Sequence, residues 1–113
     1  MIEFLLEQGV EEKNIILVGR SIGGAMTFFI GSVYQVASII LLSPFLSLKR
    51  VASDLYGCCS STLLKESFNN QHLTKNIRSP LLLIHGLKDQ LVPYEHSVTI
   101  LSECKGFCRL HLV

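Results

Sequence analysis

The stretch IILVGRSIGGAM, Ile15 to Met26, decides the fold class, because an aliphatic run gives way within a few residues to a helix-forming one. Ile15 to Val18 is typical of a parallel strand that is covered on both faces. The sequence GRSIG, residues 19–23, follows directly, and helix-forming and bulky apolar residues come after it. The pattern predicts a strand, an abrupt turn that carries a serine, and a helix from Ile22 to Ser32.

Strand and helix alternate along the rest of the chain. The further predicted strands are VASIILLS (36–43), one that begins in SPLLLIHG (79–86) and CRLHLV (108–113), and the further predicted helices are IEFLLEQG (2–9), LKRVASDL (48–55) and YEHSVTILSEC (94–104). This alternation predicts an α/β fold, with a parallel sheet of about four strands, flanking helices and right-handed crossovers. The segment from Tyr56 to Asn76 is polar and mixed, and it stays unassigned.

Composition indicates one small globular domain, residues 1–113. Apolar residues make up 49% of the chain and charged residues 17%, which is typical of a packed core and not of a disordered segment. The formal net charge is +1, and the lysines and arginines form no basic stripe. The sequence therefore predicts no nucleic-acid partner.

The sequence shows no targeting segment, since Met1 leads into a stretch with acidic residues and without a small-residue cleavage site. The longest apolar stretch, VASIILLSPFL (36–46), is shorter than the ~20 residues that cross a bilayer. We therefore expect a soluble, cytoplasmic protein without a transmembrane segment.

Four cysteines are expected to be reduced thiols in that compartment, and their role stays open: Cys58, Cys59, Cys104 and Cys108. A metal site could be drawn from two of them and His111. The spacing is not that of a zinc knuckle, however, and no fourth ligand is placed. Neither a metal nor another cofactor is predicted.

Residues 19–23 match Gly-x-Ser-x-Gly, the pattern of a nucleophile elbow. In such an elbow the serine, here Ser21, occupies a strained turn that lifts its hydroxyl above the sheet. Gly19 and Gly23 are predicted to be needed because side chains there would collide with the neighbouring helix and strand. The helix start behind Ser21 offers free N–H groups, and the N–H of Ile22 is a candidate oxyanion-hole donor.

Two other interpretations of this turn remain. Glycines and a serine can simply make a strand-to-helix turn, or the loop can cradle a phosphate. The dinucleotide fingerprint requires Gly-x-Gly-x-x-Gly, whose second glycine is missing here, and a Walker lysine is also absent from the sequence. The strand before the motif and the helix after it favour the elbow.

A catalytic triad also needs an acid beyond a later strand. The chain has two aspartates, Asp54 and Asp89. Asp89 lies in LLLIHGLKDQLVP (81–93), just past a predicted buried strand and therefore at the edge where the sites of parallel α/β proteins gather. Asp54 lies in a polar helical region and is expected to be a solvated surface charge. Asp89 is the predicted acid.

Three stretches resemble the central and C-terminal part of serine hydrolases of the α/β-hydrolase superfamily: VGRSIGGAM (18–26), ILLSPFLSLKRVA (40–52) and SPLLLIHGLKDQLVPYEHS (79–97). The similarity is strongest to the α/β-hydrolase-domain-containing proteins that include protein depalmitoylases. The resemblance implies that Ser21 is the nucleophile, that Asp89 is the triad acid and that Ile22 supplies an oxyanion-hole amide.

The chain also departs from this family. Its members carry further strands and a His-Gly oxyanion loop ahead of the elbow, and their triad histidine follows the final strand, beyond the position of Val113. The resemblance therefore implies a C-terminal-half fragment. Of its four histidines, His85 is expected to shape the acid loop, His72 and His96 to lie at the surface, and His111 to be fixed in a strand. None is a predicted base.

The functional prediction is a fragment of an esterase or thioesterase, with acyl-protein thioesterases included, whose parent forms an acyl-enzyme on Ser21. The substrate of the parent would be a small acyl ester or thioester or an acylated protein, and the parent could associate with membranes. The short chain is expected to be inactive. The alternative is a non-catalytic binding or assembly protein with hydrolase topology. An open strand edge at Ile15 to Val18 predicts self-association.

Overall fold

The computed structural model of the chain describes residues 1–57 and 68–113. Its elements, in chain order, are α1 (Ile2–Glu7), a short 3-10 turn (Glu12–Asn14), β1 (Ile16–Arg20), α2 (Ile22–Val33), β2 (Ser38–Leu42), α3 (Leu48–Tyr56), α4 (Asn70–Thr74), β3 (Leu81–His85), α5 (Glu95–Glu103) and β4 (Cys108–Leu112). The predicted α/β fold is confirmed. Part of the unassigned segment forms α4, whereas Cys58 and Cys59 lie outside the described residues.

The strands form a four-stranded parallel sheet within the described residues, in the order β1-β2-β3-β4. Sequence order and spatial order coincide because each crossover returns the chain to the next position along the sheet. The register places Gly19 beside Leu41, Leu41 beside Leu83, and Leu83 beside Leu110. All four strands therefore end at one edge, which carries the residues that follow them.

The main hydrophobic core lies between the two central strands and helices α2 and α5. Its fully buried members include Phe28 of α2, Ile39 and Leu41 of β2, Leu83 of β3 and Ile100 of α5. Burial of each such side chain stabilises the fold by about 1.5–3 kcal/mol. Burial alternates along β2 and β3, so the helices cover one face of these strands, while the residues that point to the other face are only half-buried.

A second, smaller cluster lies beneath the edge where the strands end. Its buried members are Ala25 of α2, Phe45 after β2 and Val92 after β3, and Leu48 and Val51 of α3 pack against them. Phe45 thereby joins the helix that follows Ser21 to the loop that carries Asp89.

The expectation that the first strand is covered on both faces is wrong for the described residues. Ile15 is buried, but Ile16 and Val18 are 58% and 62% exposed, and β1 pairs only with β2. Helix α2 covers one face of β1, and no described element covers the other. The aliphatic composition of the run therefore predicts more burial than the described residues provide.

In the described part of the chain, no helix combines the length and the apolar character that a bilayer crossing needs.

Candidate active site

The predicted elbow is present as a strained turn between β1 and α2. Ser21 has φ 49° and ψ −119°, a conformation that an L-residue keeps only when its surroundings enforce it. Its N–H donates to the carbonyl of Leu42, at 2.9 Å, and its carbonyl accepts from the N–H of Gly24, at 2.9 Å. The end of β2 and the first turn of α2 thus fix Ser21, whose side chain remains partly exposed.

The two elbow glycines differ in their surroundings. A Cβ on Gly19 would stand 2.3 Å from Thr27 Oγ1 and 2.8 Å from the Cα of Gly24, so only glycine fits between strand and helix. A Cβ on Gly23 would meet nothing within 4 Å. The predicted steric need for Gly23 is therefore wrong within the described residues, because the space beside it is open.

This difference predicts opposite effects of two alanine substitutions. We expect Gly19→Ala to destabilise the fold by about 3 kcal/mol or more, because part of the clash is with backbone that cannot move away. Gly23→Ala should leave stability unchanged or raise it by about 0.5–1 kcal/mol, since alanine is the better helix former. Urea unfolding of the two variants measures both effects. Equal losses for the two variants would contradict this packing.

The turn also aims backbone donors at the site. Ile22 is the first residue of the 12-residue helix α2, and an N–H in the first turn of a helix has no intrahelical acceptor. The positive end of the helix dipole lies at the same point. An oxyanion that forms next to Ser21 would therefore meet a donor and a favourable field.

Asp89 lies in the loop after β3, on the same edge of the sheet. Its Oδ1 accepts from the N–H groups of Leu91 and Val92, both at 3.0 Å, and 22% of its side chain is exposed. Burial raises the pKa of Asp89, but hydrogen bonds from Val92, Ser43 and Leu91 outweigh burial and hold that pKa below its usual value. The carboxylate is thus charged at neutral pH and is fixed through one oxygen.

Ser43 stands between the serine and the acid and was not predicted from the sequence. It follows β2 with φ 45°, its N–H donates to the carbonyl of Ile84, at 2.9 Å, and its hydroxyl donates to the Asp89 carboxylate. Its neighbour Leu42 accepts the hydrogen bond from Ser21. The only signal in the sequence is Ser-Pro directly after a strand, which marks a turn without identifying a partner.

The Ser43 contact predicts a change in the titration of Asp89. In Ser43→Ala the charged carboxylate loses a donor, so the pKa of Asp89 should rise. A ¹³C NMR titration of the side-chain carboxyl measures it, with Ser102→Ala as a matched control because the Ser102 hydroxyl donates to the carbonyl of Thr99 on α5. An unchanged or lower pKa of Asp89 in Ser43→Ala would contradict the contact.

His85 is buried beneath the acid loop, as its expected role in shaping that loop requires. It is 1% exposed, with Nδ1 2.7 Å from Ser97 Oγ and Nε2 2.7 Å from the carbonyl oxygen of Val92. A carbonyl can only accept, so Nε2 carries the proton and Nδ1 accepts from the Ser97 hydroxyl. Val92 in turn donates its N–H to Asp89. Both ring nitrogens of His85 are thus engaged.

The remaining histidines are spread over the described structure. His72 lies exposed on α4, and His111 lies exposed on β4, beside Ile84. Three strand spacings, about 14 Å, separate β4 from β1. Within residues 1–57 and 68–113, no hydrogen bond joins a histidine to Ser21.

The surface assignment of His96 is wrong, whereas Asp54 lies at the surface as expected. His96 is 2% exposed, and its Nε2 lies 2.8 Å from Asp54 Oδ2. Asp54 is exposed, but its carboxylate is not left to solvent alone, since it also pairs with Arg50 Nε, at 3.3 Å. The contact between His96 and Asp54 joins residues 42 positions apart, so no local pattern could have shown it.

Comparisons with known proteins agree with this architecture. The family model for Phospholipase/Carboxylesterase matches residues 1–111. The human alpha/beta hydrolase domain-containing protein 17C is 34% identical over 96 residues, which cover 85% of this chain and 28% of that protein. The human protein 17B is 31% identical over 97 residues, which cover 86% of this chain and 33% of that protein. The chain thus spans about a third or less of these curated relatives.

Solved structures share the fold at low sequence identity. The acylaminoacyl peptidase of Pyrococcus horikoshii superposes with a TM-score of 0.78 at 20% identity, covering 98% of this chain and 21% of that one. The acetyl xylan esterase of Paenibacillus sp. R4 gives a TM-score of 0.77 at 15% identity, with coverages of 98% and 42%. With the family model spanning nearly all of its length, the chain belongs to the Phospholipase/Carboxylesterase family of the α/β-hydrolase superfamily.

Proposed function

We propose that the chain is the part of a serine esterase or thioesterase that carries the nucleophile and the triad acid. The observation that supports this most is the strained backbone of Ser21, φ 49° and ψ −119°, at the sheet edge that also carries Asp89. Strain of this kind persists where function uses it. The oxyanion donor in this proposal is the N–H of Ile22.

In the proposed reaction Ser21 Oγ attacks the acyl carbonyl and its proton passes to a base. The alcohol or thiol leaves, an acyl-enzyme remains on Ser21, and water then releases the acid. The acid Asp89 orients and stabilises that base through the carboxylate oxygen that the N–H groups of Leu91 and Val92 do not use.

The base is proposed to lie outside residues 1–113. His85 and His96 have both ring nitrogens engaged, and His111 lies on the strand farthest from β1. A histidine contributed by adjoining polypeptide would complete the triad. On this proposal the isolated chain lacks the base and is therefore inactive.

The substrate class is an acyl ester or thioester, with acylated proteins included. The family name covers phospholipases and carboxylesterases. The resemblance to the α/β-hydrolase-domain-containing proteins that include protein depalmitoylases favours a thioester. A cytoplasmic location, and membrane association of a longer parent, belong to the same proposal.

A chimera tests the proposal without any assumption about the parent gene. The matching 96 residues of the human protein 17C are replaced by the corresponding part of this chain, so that the nucleophile and the acid come only from Ser21 and Asp89. Hydrolysis of p-nitrophenyl butyrate and of a palmitoylated peptide thioester is measured. Activity that survives Ser21→Ala would contradict the proposal, and the ratio of the two rates separates ester from thioester preference.

A second candidate function, assembly, is supported by a set of exposed apolar side chains, two on the face of β1 away from α2 and four on α2. Its members are 55–63% exposed and comprise Ile16, Val18, Ile22, Met26, Phe29 and Val33. The four α2 members recur at helical spacing and form one stripe. Next to it, β1 has hydrogen-bonding groups on the side away from β2 that no described strand pairs.

This surface predicts self-association of the isolated chain. We expect light scattering to show dimers or larger species at micromolar concentration, because a strand edge beside an apolar stripe is a template for another chain. Phe29→Glu should shift the population towards monomer, while Leu87→Glu, at an exposed leucine of the acid loop, should not. A stable wild-type monomer at high concentration would rule this assembly out.

A further inference from the structure

His96 forms a buried link between three parts of the structure. It lies on α5 and is 2% exposed. Its Nδ1 lies 3.0 Å from the backbone N of Leu46, and its Nε2 lies 2.8 Å from Asp54 Oδ2 on α3. We call Leu46, His96 and Asp54 the His96 bridge.

The partners of the ring determine its protonation. A backbone N–H can only donate, so Nδ1 must be the unprotonated acceptor. Nε2 then carries the proton and donates it to the carboxylate of Asp54. The bridge therefore requires a neutral imidazole with its hydrogen on Nε2, and it uses both ring nitrogens.

The bridge holds the backbone next to Phe45. Phe45 is 2% exposed and packs against Ala25 of the elbow helix and Val92 of the acid loop. Asn70 holds the same turn from the other side, since its Nδ2 donates to the carbonyl of Phe45, at 2.9 Å. Leu46 is the next residue, so its bond to His96 fixes the entry of Phe45 into this cluster.

We infer that His96 is a positioning residue, which as a neutral imidazole holds Phe45 between the elbow helix and the acid loop and so sets the spacing of Ser21 and Asp89. The role of this spacing in catalysis rests on the proposed function, whereas the bridge itself does not. His96 acts through Leu46 and Phe45 and touches no reacting atom.

Acid should open the bridge by protonating His96. A proton on Nδ1 would point at the N–H of Leu46, and Nδ1 could no longer accept that hydrogen bond. Burial lowers the pKa of His96, and the Asp54 carboxylate partly offsets this while Arg50 and His85 add to the lowering. Glu95, on the same helix, lines the adjoining hollow of about 270 Å³, and residues 44–47 carry no titratable side chain.

The sign of the pH dependence follows from the lowered pKa. The unfolded chain takes up the proton near pH 6.5, the ordinary value for histidine, whereas the folded chain takes it up only at lower pH. The stability that the neutral bridge provides is thus complete above that value and is lost as the pH falls below it. At neutral pH the bridge is closed.

The experiment is NMR on the ¹⁵N-labelled 113-residue chain. Long-range ¹H–¹⁵N spectra report the His96 tautomer, and amide hydrogen exchange reports the Leu46 N–H. We expect the neutral Nε2–H form at pH 7. Acidification towards pH 5 should speed Leu46 exchange at least tenfold beyond the intrinsic pH effect seen at exposed amides.

Two substitutions separate the halves of the bridge. His96→Asn keeps an acceptor for the Leu46 N–H, and His96→Gln keeps only a donor to Asp54. Leu46 exchange should rise at least tenfold in His96→Gln and less in His96→Asn, and the acid-induced step should vanish in His96→Asn. His72→Gln, at an exposed histidine, is the control.

The chimera supplies the catalytic readout. In it, His96→Gln should lower kcat about tenfold with little change in KM, and His96→Asn should retain more activity. An Nδ1–H tautomer in the wild-type chain would overturn the bridge even if a variant failed to fold, and equal Leu46 exchange in wild type and folded His96→Gln would overturn it as well. Unchanged kcat in an active chimera with His96→Gln would overturn the positioning role. An inactive wild-type chimera counts against the proposed function, and the exchange data still decide the bridge.

Discussion

The isolated 113-residue chain should show no serine-dependent ester hydrolysis, with turnover on the order of a million-fold below that of the chimera. A serine hydroxyl is a weak nucleophile at neutral pH unless a base takes its proton. The engaged nitrogens of His85 and His96 cannot serve Ser21 as the structure stands. The rates are measured with p-nitrophenyl butyrate and a palmitoyl thioester.

The Ser21→Ala form of each protein is the control for that comparison. In the chimera it should remove the activity, and in the isolated chain it should change nothing. Serine-dependent turnover of the isolated chain within tenfold of the chimera would show that one of the four histidines reaches Ser21, and the proposed external base would then be wrong.

Asp89→Asn in the chimera should lower kcat by roughly ten-thousand-fold with little change in KM. The amide can still accept from the N–H groups of Leu91 and Val92 through its oxygen. Its NH₂ group then faces the base as a donor, so the base is held in the wrong tautomer and its charged form is not stabilised.

The other aspartate provides the matched control. Asp54→Asn changes the same functional group, but Asp54 contacts His96 and Arg50 and no reacting atom, so we expect a loss of about tenfold or less, in line with a positioning role. If Asp54→Asn cost as much as Asp89→Asn, the assignment of Asp89 as the triad acid would be wrong.

The elbow could be predicted because it is a local structure. A strand, the five residues 19–23 and a helix make the turn at Ser21, and all of them are adjacent in sequence; only the hydrogen bond from Ser21 to Leu42 comes from a more distant segment. Asp89 was placed at the right edge for a related reason, since the ends of parallel strands meet there and Asp89 follows one of them. Its catalytic role stays a prediction.

Contacts between distant segments could not be predicted. Ser43 reaches Asp89 only because β2 and β3 are neighbours in a fixed register. His96 meets Asp54 across 42 residues, and neither amino acid is rare at a surface. Charge and helix pattern alone therefore predict a surface position for both residues, which is wrong for His96, and they do not show the contact between them.

The sequence also could not show which neighbours supply burial. The aliphatic run of β1 indicates two covered faces, but Ile16 and Val18 are exposed in the described structure. Gly23 shows the same effect, since a glycine in the motif has open space beside it. Hydropathy and sequence motifs indicate whether a position is buried or sterically confined, but they do not identify the residues that surround it.

Peptide mapping after treatment with a fluorophosphonate probe tests the central claim most directly, because the probe bonds only to a serine that a base activates. In the chimera we expect a single modified peptide that contains Ser21, no modification in Ser21→Ala, and feeble or no labelling of the isolated chain. Labelling of another serine in the chimera, or strong labelling of Ser21 in the isolated chain, would contradict a nucleophile that awaits its base from outside residues 1–113.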